Sequence, residues 1–205
     1  MAIETHPITL DTIDGLRLDG DLIASPGPHG AVVVCHPHPL YGGDRFNPVV
    51  DAVARAAAAH GWAAVRFDFR GVNESEGTHG GGIDERLDVA AAIDMVSMLT
   101  DGPIWLIGYS FGAMVVLSVT HPRIDGWVAI APPLAAMPGE VLAATDHRPK
   151  HVLVAGHDQF SPPEATMPLL ATWENTTHAE LGTADHFLAG HLGAVGEFVV
   201  AALGD

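Results

Sequence analysis

Hydrophobic and polar positions along this chain keep changing period, and the changes predict its elements. Residues 31–35, 62–67 and 104–107 are nearly unbroken apolar runs of strand length. Such runs, bounded by turn residues, read as strands buried on both faces. Residues 127–131, 150–155 and 176–181 read as further strands. Between them the spacing turns helical. Residues 48–60 are Ala-rich and stop at Gly61. Within 83–99, Leu87, Ala91 and Met95 share one helical face. Residues 114–119 and 187–203 read as buried and closing helices. Residues 161–172 predict a helix with Ser161 as N-cap and Glu164 in its first turn. At the start, residues 8–13 and 16–24 alternate apolar and polar around Asp14-Gly15, the pattern of an antiparallel hairpin at a sheet edge.

Strands alternating with helices predict an α/β fold: a doubly wound, mostly parallel sheet with an antiparallel N-terminal hairpin. Neither a repeat nor a linker divides the sequence, so residues 1–205 read as one domain. The segment 132–149 between two predicted strands is too short for a cap domain.

Composition narrows the partners. The 205 residues, 48% hydrophobic, suffice for a sizeable core. A net charge of −16 with only nine Lys and Arg speaks against nucleic acid and against anionic membrane surfaces. The single cysteine, Cys35, excludes an internal disulfide and fits a reducing cytoplasm. No uncharged apolar run approaches the ~20 residues of a membrane helix. Glu4 and Pro7 interrupt the first ten residues, which do not read as a secretory signal. A soluble cytoplasmic protein is expected; its oligomeric state is open.

The chemistry centres on Gly108-Tyr109-Ser110-Phe111-Gly112, set between a predicted strand and a predicted helix. Alone, G-x-S-x-G also fits an ordinary turn. In this setting it is the nucleophile elbow, in which a tight strand-to-helix turn exposes a strained serine. A serine hydroxyl needs a general base, and the base needs a group that fixes its tautomer. In open α/β sheets such groups sit at the carboxyl ends of strands. Asp158 stands just past one late strand and His186 after the last, giving the order Ser, Asp, His. Asp146 is the competing carboxylate, but it precedes its strand. Asp185, beside His186, reads as structural, and His157 and His178 as solvent-facing or locally bonded.

An oxyanion hole needs two backbone N–H donors. Phe111 supplies one by following the nucleophile. The second belongs to the loop after the third strand, His36-Pro37-His38-Pro39-Leu40-Tyr41-Gly42-Gly43. Proline has no N–H, which leaves His38 between Pro37 and Pro39, with Leu40 and Tyr41 as fallback donors. His79-Gly80-Gly81-Gly82 matches a lipase oxyanion motif letter for letter, but it follows the wrong strand and reads as a flexible loop. His36 and His38 alternate without H-E-x-x-H or clustered Cys/His spacing, so no metal is expected.

Four pieces in order carry a resemblance: His36 to Gly43; Phe69-Arg70-Gly71-Val72-Asn73-Glu74-Ser75-Glu76-Gly77; the elbow; and Thr183-Ala184-Asp185-His186-Phe187. Together they resemble the small cap-less α/β-hydrolases of esterase type. The resemblance implies Ser110 as nucleophile, Asp158 as acid and His186 as base. Asn73, Ala155 and Thr183 depart from the family pattern by standing where it has glycine. The implied function is cofactor-free hydrolysis of a small ester or thioester through an acyl-serine. Peptidase, carbon–carbon bond hydrolase and perhydrolase chemistry on the same triad, and a non-catalytic binding protein, are the alternatives.

Overall fold

The computed structural model describes residues 3–24, 26–137 and 139–204. Ser25, which opens the expected Pro/Gly loop, and Pro138, in the segment expected to be too short for a cap, lie outside the described residues. So do Met1, Ala2 and Asp205.

The two alternating segments pair as β1 (Glu4–Asp11) and β2 (Arg17–Ala24), with Leu10 opposite Leu18. β2 then runs antiparallel to β4 (Trp62–Phe67), and β4 lies parallel to β3 (Gly30–Cys35). β5 (Ile104–Tyr109), β6 (Gly126–Ile130), β7 (Lys150–His157) and β8 (Thr176–Asp185) add on in parallel. The order across the sheet is β1-β2-β4-β3-β5-β6-β7-β8. This is the doubly wound sheet with an antiparallel hairpin that the sequence pattern predicts.

Helices α1 (Pro48–Ala59), α2 (Glu85–Ser97), α3 (Phe111–Leu117), α4 (Pro163–Leu170) and α5 (Leu192–Leu203) cover the two faces. Side chains alternate across a strand. Ala31, Val33 and Cys35 of β3 therefore join the core under α2 and α3. Val32 and Val34 join the core under α1 and α5. Both cores meet at β3 and β5, which lie side by side at the centre of the sheet. Chain order reverses there, so the loops leaving the two strands diverge and open a crevice at their carboxyl ends.

Four local expectations are corrected. α5 begins at Leu192, later than position 187, because Leu188 and Gly190 adopt φ of +57° and +79°, which no helix admits. β8 runs on to Asp185, past a bulge opposite Ala155 and His157. Ser161 does not cap α4; its hydroxyl accepts from Ala135 N–H and pairs with Thr166 Oγ1. The loop Gly80 to Gly82, expected to be flexible, is a pinned one, since buried Glu85 accepts hydrogen bonds from Gly80 N–H and Gly82 N–H.

Buried ion pairs tie the loops of the crevice to the frame. Asp68, at the end of β4, accepts from Arg45 N–H at 2.7 Å, from the Arg45 guanidinium, and from Asn73 Nδ2 at 2.9 Å. Asn73 itself sits at φ +49°. Its side chain thus secures the left-handed turn that the sequence shows as a departure from glycine. Arg70 bridges Asp88 of α2 and Asp14 of the hairpin.

Candidate active site

The elbow forms where β5 meets α3. Ser110 has φ +55° and ψ −118°, outside the ordinary regions for a residue with a side chain. The neighbouring glycines permit this. A Cβ on Gly112 would lie 2.4 Å from Cys35 O and 2.6 Å from His36 O; one on Gly108 would lie 2.3 Å from Gly112 O. Strand and helix can approach only because neither position carries a side chain. α3 begins at Phe111, directly after the serine.

Two distant segments converge on Ser110. β7 delivers Asp158 one residue past its end, and β8 delivers His186 one residue past its own. Ser110 Oγ lies 2.8 Å from His186 Nε2, and His186 Nδ1 lies 2.7 Å from Asp158 Oδ2. All three residues are buried, Ser110 at 9% exposure being the most open. Burial alone pushes the Asp158 carboxyl up. The hydrogen bond from His186 and those from Ser161 N–H and Phe160 N–H to Oδ1 outweigh it, and hold the group below its ordinary value. An ionised carboxylate only accepts, so the ring proton of His186 sits on Nδ1 and the Nε2 lone pair faces the serine hydroxyl. Asp146 is far from this chemistry, at the opposite end of β7, where it pairs with Arg148.

The loop after β3 uses up its donors in an orderly way. Leu40 N–H donates to His38 Nδ1, Tyr41 N–H and Gly43 N–H to His38 O, and Gly42 N–H to Pro39 O. His38 N–H takes no acceptor among the described residues, and neither does Phe111 N–H. The two amides expected to form the oxyanion hole are thus free, and both fallback donors are spent. The loop is stiffened from below by His36, which is fully buried. Its Nε2 accepts from Phe69 N–H at 3.0 Å and its Nδ1 lies 2.6 Å from Pro37 O. Both ring nitrogens of His36 therefore serve the frame. Among the described residues, no group of three or more His, Cys, Asp or Glu side chains is arranged to hold a metal ion.

Two contacts escaped the sequence. The Tyr109 hydroxyl donates to His186 O at 2.9 Å, and Phe160 packs its ring edge-on to the imidazole at 4.7 Å between centroids. Tyr109 neighbours Ser110 and so was open to suspicion, whereas nothing in the sequence marks Phe160. Asp185 has the expected structural role, accepting from Phe187 N–H. His157 and His178 are exposed, as expected.

With this geometry in place, comparison with known proteins is informative. A sequence model of the serine aminopeptidase S33 family matches residues 26–147. The chain belongs to this family. The protein is similar to a solved α/β serine hydrolase without lid from Xanthomonas campestris, XC6422. The two are 27% identical, with 99% of this chain and 95% of that one covered and a TM-score of 0.86. It is also similar to an α/β serine hydrolase homologue from Coxiella burnetii, at 27% identity, 97% coverage of both chains and a TM-score of 0.84. An uncharacterised protein of Rickettsia prowazekii (strain Madrid E), RP471, is 32% identical over 123 residues, 58% of this chain. The match spans about half, 52%, of that relative's length. The protein is thus a small α/β-hydrolase of the lidless kind. No helix among the described residues is long and apolar enough to cross a membrane.

Proposed function

We propose that this α/β-hydrolase cleaves a small carboxylic ester or thioester through an acyl-serine intermediate on Ser110. The observation that carries the reading is the unbroken hydrogen-bonded line from Ser110 Oγ through His186 to Asp158, with 2.8 Å and 2.7 Å steps. His186 Nε2 takes the serine proton as Oγ bonds to the substrate carbonyl carbon. The carbonyl oxygen becomes an oxyanion held by the N–H groups of His38 and Phe111. As the intermediate collapses, the bond to the leaving oxygen or sulfur breaks, and His186 hands the proton to that atom. Water then repeats the sequence on the acyl-serine, releasing the acid and restoring Ser110. Asp158 holds the imidazole in the required tautomer and offsets the charge of the imidazolium.

Because His186 must reach the leaving atom, the alcohol portion lies on the side of His186, Phe160 and Phe187. The acyl chain is assigned to the oxyanion side, beside His38 and Tyr41, whose rings lie 4.8 Å apart. The family name carries a peptidase reading. Ester chemistry is placed ahead of it because only residues 131–149 separate β6 from β7, with no lid there to select a peptide.

Labelling with a fluorophosphonate, followed by mass spectrometry, tests the nucleophile. A panel of acyl esters, thioesters and aminoacyl amides tests the substrate class. Labelling at Ser110 with turnover of esters is expected. A folded protein that is not labelled is a binding protein, and turnover of the amides alone makes it a peptidase.

A further inference from the structure

The triad and its two amides leave one titratable pair at the site without a role. His79 Nδ1 lies 2.8 Å from Oε1 of Glu85, whose side chain has no solvent exposure. Glu85 is pinned in turn by the N–H groups of Gly80 and Gly82. The His79 ring packs against the rings of both oxyanion residues, 5.1 Å from His38 and 5.4 Å from Phe111 between centroids. Those two rings are themselves 4.8 Å apart. The three side chains form one cluster, separate from the ring contacts of Phe160 and Phe187 with His186.

The two nitrogens of His79 differ sharply. Nδ1 is sealed from solvent, with Glu85 as its polar neighbour. At 2.8 Å the two atoms are in close contact, although Nδ1 makes no hydrogen bond among the described residues. Nε2 keeps solvent contact and takes no partner among the described residues. It is an unused hydrogen-bonding atom on a ring packed against His38 and Phe111.

We propose that His79 is a specificity-determining residue on the acyl side, whose Nε2 hydrogen-bonds a hydroxyl group carried on the acyl chain. The enzyme then selects hydroxyacyl esters over plain alkanoyl esters. A chain hydroxyl that reaches Nε2 gains a hydrogen bond that a plain alkanoyl chain cannot make. Glu85 acts through His79 as a positioning residue. The assignment rests on the reading of Ser110 as nucleophile.

The test compares p-nitrophenyl butyrate with its 2-hydroxy and 3-hydroxy analogues as ratios of kcat/KM, in the wild type and two variants. His79→Phe keeps the ring and its packing but has no acceptor. His79→Asn keeps a polar group near Glu85 but has no atom at the Nε2 position, and does not rely on ring packing. Differences in intrinsic ester reactivity cancel between enzymes. For at least one hydroxy ester, the ratio of hydroxy to plain substrate is expected to fall about tenfold in both variants, the size of one lost hydrogen bond. A wild type that fluorophosphonate labels at Ser110, but whose ratio does not fall on substitution, or that turns over no hydroxy ester, overturns the assignment of His79 alone. A wild type that is not labelled at Ser110 overturns the nucleophile and His79 together.

Discussion

The phenol of Tyr109 donates a hydrogen bond to the backbone carbonyl of His186 at 2.9 Å, so the residue before Ser110 holds the backbone that carries the imidazole. Burial pushes the Tyr109 phenol well above its ordinary range, which keeps it protonated and a donor. The contact joins β5 to the turn after β8, two segments far apart in sequence. Tyr109→Phe keeps the ring and removes the donor. The expected result is a fall in kcat of roughly tenfold with little change in KM, because the base loses registry with Ser110 Oγ. A slower fluorophosphonate reaction at Ser110 should accompany it.

For the triad, Ser110→Ala should lower kcat by on the order of 10⁴–10⁶ in a folded protein. His186→Ala should match it, and the double variant should add little, because the groups act as one unit. Asp158→Asn should cost on the order of 10⁴ by favouring the wrong imidazole tautomer. Asp146→Asn, at the far end of β7, should leave turnover close to the wild type. Steady-state kinetics on one activated ester separates these outcomes.

The oxyanion assignment separates backbone from side chain. His38→Pro removes the free N–H and should reduce kcat by on the order of 10²–10³. His38→Ala keeps the N–H and should retain far more activity. Circular dichroism controls for the loop fold. An Ala variant as inactive as the Pro variant moves the role of His38 to its imidazole.

Asp146 offers a pH-dependent stability change remote from the chemistry. The hydrogen bonds from Arg148 hold its carboxyl well below the ordinary range. A carboxyl depressed in the folded state contributes stability above its unfolded value, about 3.9, and loses it as pH falls toward the folded value. Asp146→Asn should therefore lower the urea midpoint at pH 7, by about 1 kcal/mol in stability, and the two proteins should converge as pH drops from about 5 toward 2. A difference that persists unchanged in acid would assign the loss to packing around Arg148, which lies over the Trp127 ring.

What the sequence determined by itself was whatever depends on short-range pattern. Apolar runs and helical spacing are local, so the strands, the order of helices and the parallel sheet were readable to within a few residues. The elbow was readable too, because Gly108 and Gly112 are required by backbone atoms only a few bonds or one strand away. Asp158 and His186 were readable as candidates from their places after strands. Element ends were less readable, since Leu188 and Gly190 break the helix through positive φ angles that the tertiary packing imposes.

The tertiary structure alone decided everything that needed distance across the chain. It closed the two steps from Ser110 to Asp158, placed Asp146 at the wrong end of the sheet, and spent the amides of Leu40 and Tyr41 inside their own loop. It also packed His79, at the head of an apparent stray motif, against His38 and Phe111. The physical reason lies in Glu85. Its burial at the start of α2 draws in the amides of that loop, and only in three dimensions does the loop meet Phe111 and His38.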